Sequence, residues 1–153
     1  MFIGEYTHSL DSKGRMAVPA KFRKDLTGGA IITKGLEHCL FVFSKSEWEI
    51  LAKKILALPL VKADARAFSR LMLSGAAEAE IDQQGRILIP DYLRTYAGLS
   101  AKGGSASGGK KQVVVAGVYN RAEIWDAEAW KQYKAKTESS ADEVAEKMGE
   151  LGI

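Results

Sequence analysis

Two short segments combine an aspartate with an arginine four positions later, a spacing that suits either an ion pair or contact with nucleic acid. Residues 10–19 have the sequence Leu-Asp-Ser-Lys-Gly-Arg-Met-Ala-Val-Pro, and residues 81–90 have the sequence Ile-Asp-Gln-Gln-Gly-Arg-Ile-Leu-Ile-Pro. An aspartate that opens a tight turn accepts hydrogen bonds from nearby backbone N–H groups, and glycine tolerates the positive φ that such turns require. Arginine matches phosphate and the guanine edge because its planar group donates two parallel hydrogen bonds. The sequence therefore predicts two similar turns, each followed by an arginine.

The two arginines have different neighbours, and this difference separates their predicted roles. In the second segment Gln83 and Gln84 are neutral, which favours a structural pair between Asp82 and Arg86 across the turn. In the first segment Lys13 lies at the tip of the turn, which favours contact with nucleic acid for Arg15.

Basic residues are concentrated in and after the first turn. Residues 12–24 carry +5 with no acidic residue, whereas the matching residues 83–95 carry two arginines and one aspartate, or +1; the whole chain carries only +3. A basic surface around a presented hairpin predicts phosphate contacts, and a merely solvated basic face is the alternative. The residues that form this predicted surface are Lys13, Arg15, Lys21, Arg23 and Lys24.

The remaining reactive residues do not form a catalytic or metal-binding pattern. Residues 104–110 match the spacing of a P-loop up to its lysine, but Lys111 stands where serine or threonine is needed and a strand is predicted to follow. His38 and Cys39 are adjacent and would point to opposite faces of a strand, so Cys39 is expected to be a small buried hydrophobic residue. With two histidines and one cysteine, a zinc site is not expected. We predict a protein that is not an enzyme and that binds no metal and no cofactor.

The elements that position these residues are duplicated, so the chain is best described as two repeats. The turns match at an offset of 71 residues, and the later part of each repeat, including Trp48 and Trp130, matches at an offset of 82. The difference of 11 residues falls within Ser100–Lys111, whose Gly- and Ser-rich composition is typical of a flexible, exposed linker. Each repeat is predicted to contain a strand, a tight turn, a strand, a short helix, two further strands and a helix.

Several helix ends can be predicted from single residues. Ser44 and Glu47 form a capping-box pattern for a helix that ends before Pro59, and a second helix is predicted over about Lys62–Leu73. Asp126 is expected to cap the helix that carries Trp130. We predict a first repeat at residues 1–58, a connecting helix at 59–75, a second repeat at 76–135 with the linker-like insert at 100–111, and a C-terminal tail at 136–153 that forms at most a weak helix.

Two further expectations concern assembly and location. A half-unit of this size buries little core by itself, so the apolar helix faces around Trp48 and Trp130 are expected to be shared between neighbouring subunits of a closed homo-oligomer. The single cysteine cannot form an internal disulfide, and the chain has neither a signal-like start nor an apolar run of about 18 residues. We therefore expect a cytoplasmic protein without a membrane span.

The chain resembles the MraZ family over roughly residues 1–135, apart from the insert. The similarity lies in the opening Met-Phe-Ile-Gly-Glu-Tyr-Thr-His-Ser-Leu-Asp-Ser-Lys-Gly-Arg, in the second Ile-Asp-Gln-Gln-Gly-Arg-Ile-Leu-Ile-Pro, and in residues 120–126, Asn-Arg-Ala-Glu-Ile-Trp-Asp. A single Asp-x-x-x-Arg segment would be a weak signal, whereas two at this separation are specific.

This resemblance implies an α+β fold made of duplicated AbrB-like swapped-hairpin half-units that form a β-barrel with pseudo-two-fold symmetry, plus connecting helices. It also implies a bacterial transcriptional regulator, a cytoplasmic ring at the nucleoid that binds tandem G-rich repeats of double-stranded DNA upstream of the division and cell-wall gene cluster containing its own gene. Because the insert can border a subunit contact, it bears on ring size more than on DNA binding. The resemblance adds Asp11, Asp82 and Arg86 to Lys13 and Arg15 as DNA-contacting residues. The alternative function is a ring-forming interaction scaffold whose basic surface binds polyanions without sequence preference.

Overall fold

A computed structural model describes residues 1–100 and 108–153 of the 153-residue chain. The strands are β1 (Phe2–Leu10), β2 (Arg15–Ala17), β3 (Ala30–Lys34), β4 (Leu40–Ser44), β5 (Ala77–Ala79), β6 (Arg86–Leu88), β7 (Lys111–Tyr119) and β8 (Ala122–Asp126). The α-helices in these residues are α1 (Ala20–Arg23), α2 (Lys45–Leu56), α3 (Ala63–Ser69), α4 (Asp91–Tyr96), α5 (Ala127–Ser139) and α6 (Ala141–Gly149). A 3₁₀ turn follows α1 at Lys24–Leu26, and a π-helical turn follows α3 at Arg70–Ser74.

All eight strands belong to one antiparallel sheet in the order β5-β3-β4-β8-β7-β1-β2-β6. The two repeats exchange strands in this sheet, because β1 of the first repeat pairs with β7 of the second and β5 of the second pairs with β3 of the first. The end strands β5 and β6 are joined by the turn at residues 82–86, so the sheet curls into a nearly closed barrel. The predicted duplicated swapped-hairpin fold is confirmed.

A pseudo-two-fold axis relates the repeats. Met16 and Ile87 are equivalent at the 71-residue offset, and they face each other in the β2–β6 pair. Phe41 and Glu123 are equivalent at the 82-residue offset, and they face each other in the β4–β8 pair. Equivalent residues can face each other only where a symmetry axis crosses the sheet, so the axis passes through both strand pairs.

Two apolar clusters lie on opposite faces of the curved sheet. Leu40 and Val42 point into the larger cluster inside the barrel, whereas Phe41 and Phe43 alternate to the other face and join the smaller one. Trp48 and Trp130 pack against the smaller cluster within the same chain. Helices α2 and α5 therefore cover the outside of the barrel.

The predicted helix ends agree with the structure, with one local difference. The Ser44 hydroxyl accepts a hydrogen bond from the Glu47 N–H at 3.3 Å, and the Asp126 carboxylate accepts one from the Ala129 N–H at 2.9 Å. The helix predicted over about Lys62–Leu73 is α3 followed by the π-helical turn. The C-terminal tail, for which at most a weak helix was expected, is helical over most of its length, because α5 continues to Ser139 and α6 spans Ala141–Gly149.

The predicted exposed linker lies largely outside the described residues. Gly108, Gly109 and Lys110, which lead into β7, are exposed.

Candidate nucleic-acid interface

The first turn, residues 11–15, is organised by the carboxylate of Asp11. Its Oδ1 accepts hydrogen bonds from the Lys13 N–H at 2.9 Å and the Arg15 N–H at 3.0 Å, and its Oδ2 accepts one from Arg15 Nε at 2.8 Å. The Asp11 N–H donates to the Arg15 carbonyl at 2.9 Å, and Gly14 takes a φ of +81°. Asp11 therefore fixes both the turn backbone and the orientation of Arg15.

The second turn, residues 82–86, repeats this geometry. Asp82 Oδ1 accepts from the Gln84 N–H at 2.8 Å and the Arg86 N–H at 2.9 Å, while Oδ2 accepts from Arg86 Nε at 3.0 Å. Arg86 differs from Arg15 in one contact, because its Nη1 also lies 4.0 Å from Oδ2 of Asp11. Both arginines are paired with their own aspartates, and Arg86 additionally approaches the carboxylate of the first turn.

The turn hydrogen bonds lower the pKa of both aspartates. For Asp11, partial burial raises the pKa, but this is outweighed by the hydrogen bonds from Arg15 and from the Lys13 N–H, so the net pKa is below the usual value. For Asp82, the backbone N–H of Arg86 is the largest cause of the lowered pKa, with the Arg86 side chain and the Gln84 N–H adding to it. Both carboxylates are therefore charged near neutral pH and engaged inside their turns.

Strands β2 and β6 form a two-stranded antiparallel ribbon, called here the central ribbon, with one turn at each end. Its inner face carries buried Met16 and Ile87, so alternation places Arg15 and Arg86 on the outer face. Leu88, which faces Arg15 in the register, is 55% exposed. The central ribbon thus presents two arginines related by the pseudo-two-fold axis.

The short helices that follow the central ribbon cross to the turn of the opposite repeat. The Val18 N–H donates to the Gly85 carbonyl at 2.9 Å, and Arg23 of α1 donates from Nε to the Val18 carbonyl at 3.0 Å. A Cβ added at Gly85 would lie 2.6 Å from Arg23 Cζ, so the guanidinium rests against the second turn. The basic helix of the first repeat therefore lies beside the second turn.

The equivalent contact at the other end involves Arg94 of α4. Its Nε donates to the Ile89 carbonyl at 3.0 Å, and a Cβ added at Gly14 would lie 2.7 Å from its Cζ. Arg94 was not among the residues predicted to form the site. Its match to Arg23 at the 71-residue offset was the signal that could have identified it.

Because α1 and α4 each lie beside the turn of the opposite repeat, the basic residues do not form the single surface around the first hairpin that the sequence predicted. Lys13 and Arg15 belong to the first turn, whereas Arg23 lies against the second turn; Lys21 and Lys24, its neighbours along the chain, are exposed. The second turn, which has the fewer cations in its own sequence, thus gains Arg23 from the other repeat. Both ends of the central ribbon consequently carry basic side chains.

The other reactive residues lie elsewhere. His38 lies in the β3–β4 turn at a φ of +60° rather than in a strand. Cys39 is buried as expected, its thiol donates to the Leu36 carbonyl, and burial together with the nearby carboxylates of Glu123 and Glu37 raises its pKa well above the usual range. In residues 1–100 and 108–153, no three His, Cys, Asp or Glu side chains are grouped so that they could hold a metal ion. No helix in the same part of the chain is long and apolar enough to cross a membrane.

Comparison with known proteins agrees with the duplicated geometry. A family model described as "MraZ protein, putative antitoxin-like" matches residues 1–71 and again residues 72–151. The chain is 51% identical over 153 residues, covering all of both chains, to proteins of Natranaerobius thermophilus and of Alkaliphilus metalliredigens. It is 49% identical over 148 residues to a protein of Carboxydothermus hydrogenoformans, covering 97% of this chain and 96% of that one. All three relatives carry the name "Transcriptional regulator MraZ".

Proposed function

Because the chain belongs to the MraZ family, whose model matches both of its halves, we propose that it is a sequence-specific DNA-binding transcriptional regulator. The relatives' names support regulation of transcription. In finer terms, the proposed target is a set of tandem G-rich repeats in the promoter region of its own gene, within the division and cell-wall gene cluster. The protein would act in the cytoplasm, at the nucleoid.

The observation that carries this proposal is the central ribbon with its two outward arginines. Two-stranded β-ribbons fit the major groove of B-DNA, which is about 12 Å wide. Arg15 and Arg86 lie diagonally across the ribbon, because Arg15 faces Leu88 and Arg86 faces Ala17. Neighbours in that diagonal relation are about 7–8 Å apart, roughly two base-pair steps of about 3.4 Å. This spacing suits contact with two guanines that are separated by one base pair.

The geometry suggests a role for each side chain. Arg15 is the proposed reader of a guanine edge, since among the described residues it forms an ion pair with one carboxylate, that of Asp11. Lys13, Lys21 and Lys24 are exposed and would contact phosphates as point charges. Asp11 and Asp82 would act by holding the turns, because both oxygens of each carboxylate are already hydrogen-bonded there.

We further propose that the protein forms a closed homo-oligomeric ring. Apolar side chains remain exposed at the end of α2 and just after it, where Leu56 is 73%, Leu60 79% and Val61 89% exposed. Exposed apolar residues grouped in this way are typical of a surface that is covered on assembly. In a ring, successive subunits would present their central ribbons to repeats about one helical turn, or ~10 bp, apart.

Competition binding tests the proposed function. Fluorescence anisotropy should measure affinity for DNA that carries tandem G-rich repeats and for the same DNA with scrambled repeats, at several salt concentrations. A regulator should keep its preference for the repeats at physiological salt, with a ratio of about 10³ or more. A scaffold that binds polyanions would lose its preference as salt rises, and this result would reject the proposal. Native mass spectrometry with and without this DNA would give the number of subunits.

A further inference from the structure

We propose that Arg94 and Arg23 are positioning residues, each of which holds the DNA-reading turn of the opposite repeat. Arg94 of the second repeat holds residues 11–15, and Arg23 of the first repeat holds residues 82–86. The effect on DNA binding rests on the proposed function, whereas the effect on the turns themselves does not.

The contact at the first turn is a short chain of hydrogen bonds through Ile89. The Ile89 N–H donates to the Gly14 carbonyl at 2.9 Å, and the Ile89 carbonyl accepts from Arg94 Nε at 3.0 Å. Ile89 therefore pairs with the first turn through its N–H and holds the Arg94 guanidinium beside that turn through its carbonyl. At the second turn, Val18 plays the same part between Gly85 and Arg23, with distances of 2.9 Å and 3.0 Å.

The turn glycines leave the space that the guanidinium groups occupy. A Cβ at Gly14 would lie 2.7 Å from both Cζ and Nε of Arg94, closer than carbon and nitrogen atoms approach without displacement. The backbone at Gly14 and Gly85 also has positive φ, at +81° and +79°. Glycine is therefore required at these positions for two reasons: the turn needs a positive φ, and the arginine of the other repeat occupies the space of a Cβ.

Arg94 and Arg23 differ in their acidic neighbours, and this difference makes Arg94 the better residue for a test by DNA binding. Arg94 Nη2 lies 3.6 Å from Asp91, whereas the residue equivalent to Asp91 in the first repeat is Ala20. Arg94 is thus partly neutralised and is the poorer candidate for direct phosphate contact. An effect of Arg94 on DNA binding would consequently report on the position of the turn.

Amide hydrogen exchange of the full-length protein, without DNA, tests the crossed arrangement. Arg94→Met should speed exchange of the Lys13 and Arg15 amides at least about fivefold, as expected when one hydrogen bond is removed. The exchange rates of the Gln84 and Arg86 amides should be unchanged. Arg23→Met should give the reverse pattern. The matched control is Arg70→Met, which removes an exposed arginine of the π-helical turn. Equal effects on both turns, or an effect of Arg23→Met on the first turn alone, would overturn the proposal.

DNA binding and a conservative variant complete the test. Arg94→Met should lower affinity for the repeat DNA at least about fivefold without changing the slope of affinity against salt concentration, and Arg94→Lys should not restore it. A direct phosphate contact predicts instead that the slope falls by about 0.9 and that lysine restores binding. Either of these results would contradict a positioning role. If the wild-type protein shows no preference for the repeats, the proposed function fails while the exchange experiment still decides the inference.

Discussion

At the scale of single residues, Asp11 and Asp82 organise their turns through the same set of hydrogen bonds. Each carboxylate accepts two backbone N–H groups on one oxygen and an arginine Nε on the other. Asp11 differs only in its additional proximity to Arg86. In the proposed complex with DNA, Arg15 would have one carboxylate to leave, whereas Arg86 would have two.

We expect Arg15→Ala to weaken binding to repeat DNA more than Arg86→Ala does. Arg15 has one carboxylate partner, whereas Arg86 approaches two, so less of the charge of Arg15 is compensated. Loss of one base-reading arginine should cost about 1–3 kcal/mol in binding free energy per site. Titrations of both variants, each checked for intact assembly, provide the measurement. If Arg86→Ala abolishes binding while Arg15→Ala does not, the reading residue has been assigned to the wrong turn.

A basic side chain that touches only phosphate should behave differently. Lys13→Ala is expected to weaken binding to repeat and scrambled DNA alike, because interactions with phosphate carry no sequence information. The slope of log affinity against log salt should fall by about 0.9 for each phosphate that the variant no longer neutralises. Affinities measured over a series of salt concentrations test this. A change in the preference between the two DNAs would contradict a phosphate-only role.

The lowered pKa values of Asp11 and Asp82 predict a dependence of stability on acid. A carboxylate whose pKa is lower in the folded state stabilises it fully above the unfolded pKa of about 3.9, and this contribution is lost as pH falls through the folded pKa. Asp11→Asn should therefore show a smaller drop in melting temperature between about pH 6 and pH 3 than the wild type. Asp64→Asn, at an exposed position in α3, controls for loss of a carboxylate outside the turns. An unchanged drop in Asp11→Asn would show that the turn carboxylate is not acid-sensitive.

Turn chemistry was predictable from sequence because it depends on neighbours within five residues. The Asp-x-x-Gly pattern identified both turns, and the arginine of each one pairs with its own aspartate. The positions of Lys21 and Arg23 were not predictable in this way. They depend on which repeat supplies the turn beside α1, and a count of charges along the chain contains no information about strand exchange.

At the scale of elements, the π-helical turn at Arg70–Ser74 is the feature that apolar spacing did not predict. A π-helical turn holds one more residue than an α-helical turn, so some carbonyl groups lose their usual helical partner. For the Met72 carbonyl, β3 supplies a hydrogen-bond donor, because the Thr33 hydroxyl donates to this carbonyl at 2.7 Å. Thr33 is fully buried and directly follows the apolar residues 30–32 of β3. A threonine after this apolar run was the sequence feature that could have indicated the contact.

Thr33→Val should destabilise the protein by about 1–3 kcal/mol, because the substitution keeps the shape but leaves a buried carbonyl without its donor. Urea unfolding would measure this change. Thr27→Val is the matched control, since Thr27 Oγ1 donates to the Lys24 carbonyl at an exposed position, where water can replace it. Its effect should stay within about 0.5 kcal/mol. Equal effects of the two substitutions would show that the Thr33 hydrogen bond contributes nothing beyond a surface bond.

At the scale of the whole molecule, strand exchange makes the two repeats one folding unit. The longest strand pairing joins β1 to β7, from Phe2 with Tyr119 to Leu10 with Lys111. The 71- and 82-residue offsets predicted the symmetry, and the family resemblance predicted the exchange. Offsets alone do not distinguish exchanged strands from two separate barrels, since both would show the same repeat.

A fragment of residues 1–75 is therefore expected not to fold as a monomer. It lacks β7, β6, β5 and β8, which pair with β1, β2, β3 and β4 respectively, and unpaired strand edges are poorly tolerated. Because the repeats are pseudo-symmetric, any folded fraction should be a dimer in which two copies exchange hairpins. Circular dichroism and sedimentation equilibrium provide the measurements. A folded monomer would show that one repeat is sufficient.

The pairing of β1 with β7 also has a consequence during synthesis on the ribosome. Strand β1 emerges early, but its partner β7 ends at Tyr119. The β1–β7 pairing therefore cannot form until more than 100 further residues have been added. At about 5–20 residues per second, this delay is roughly 5–20 s. During that time the edge of β1 that pairs with β7 is available to other nascent chains. Translation speed through the second half of the message should therefore influence how much of the newly made chain avoids aggregation.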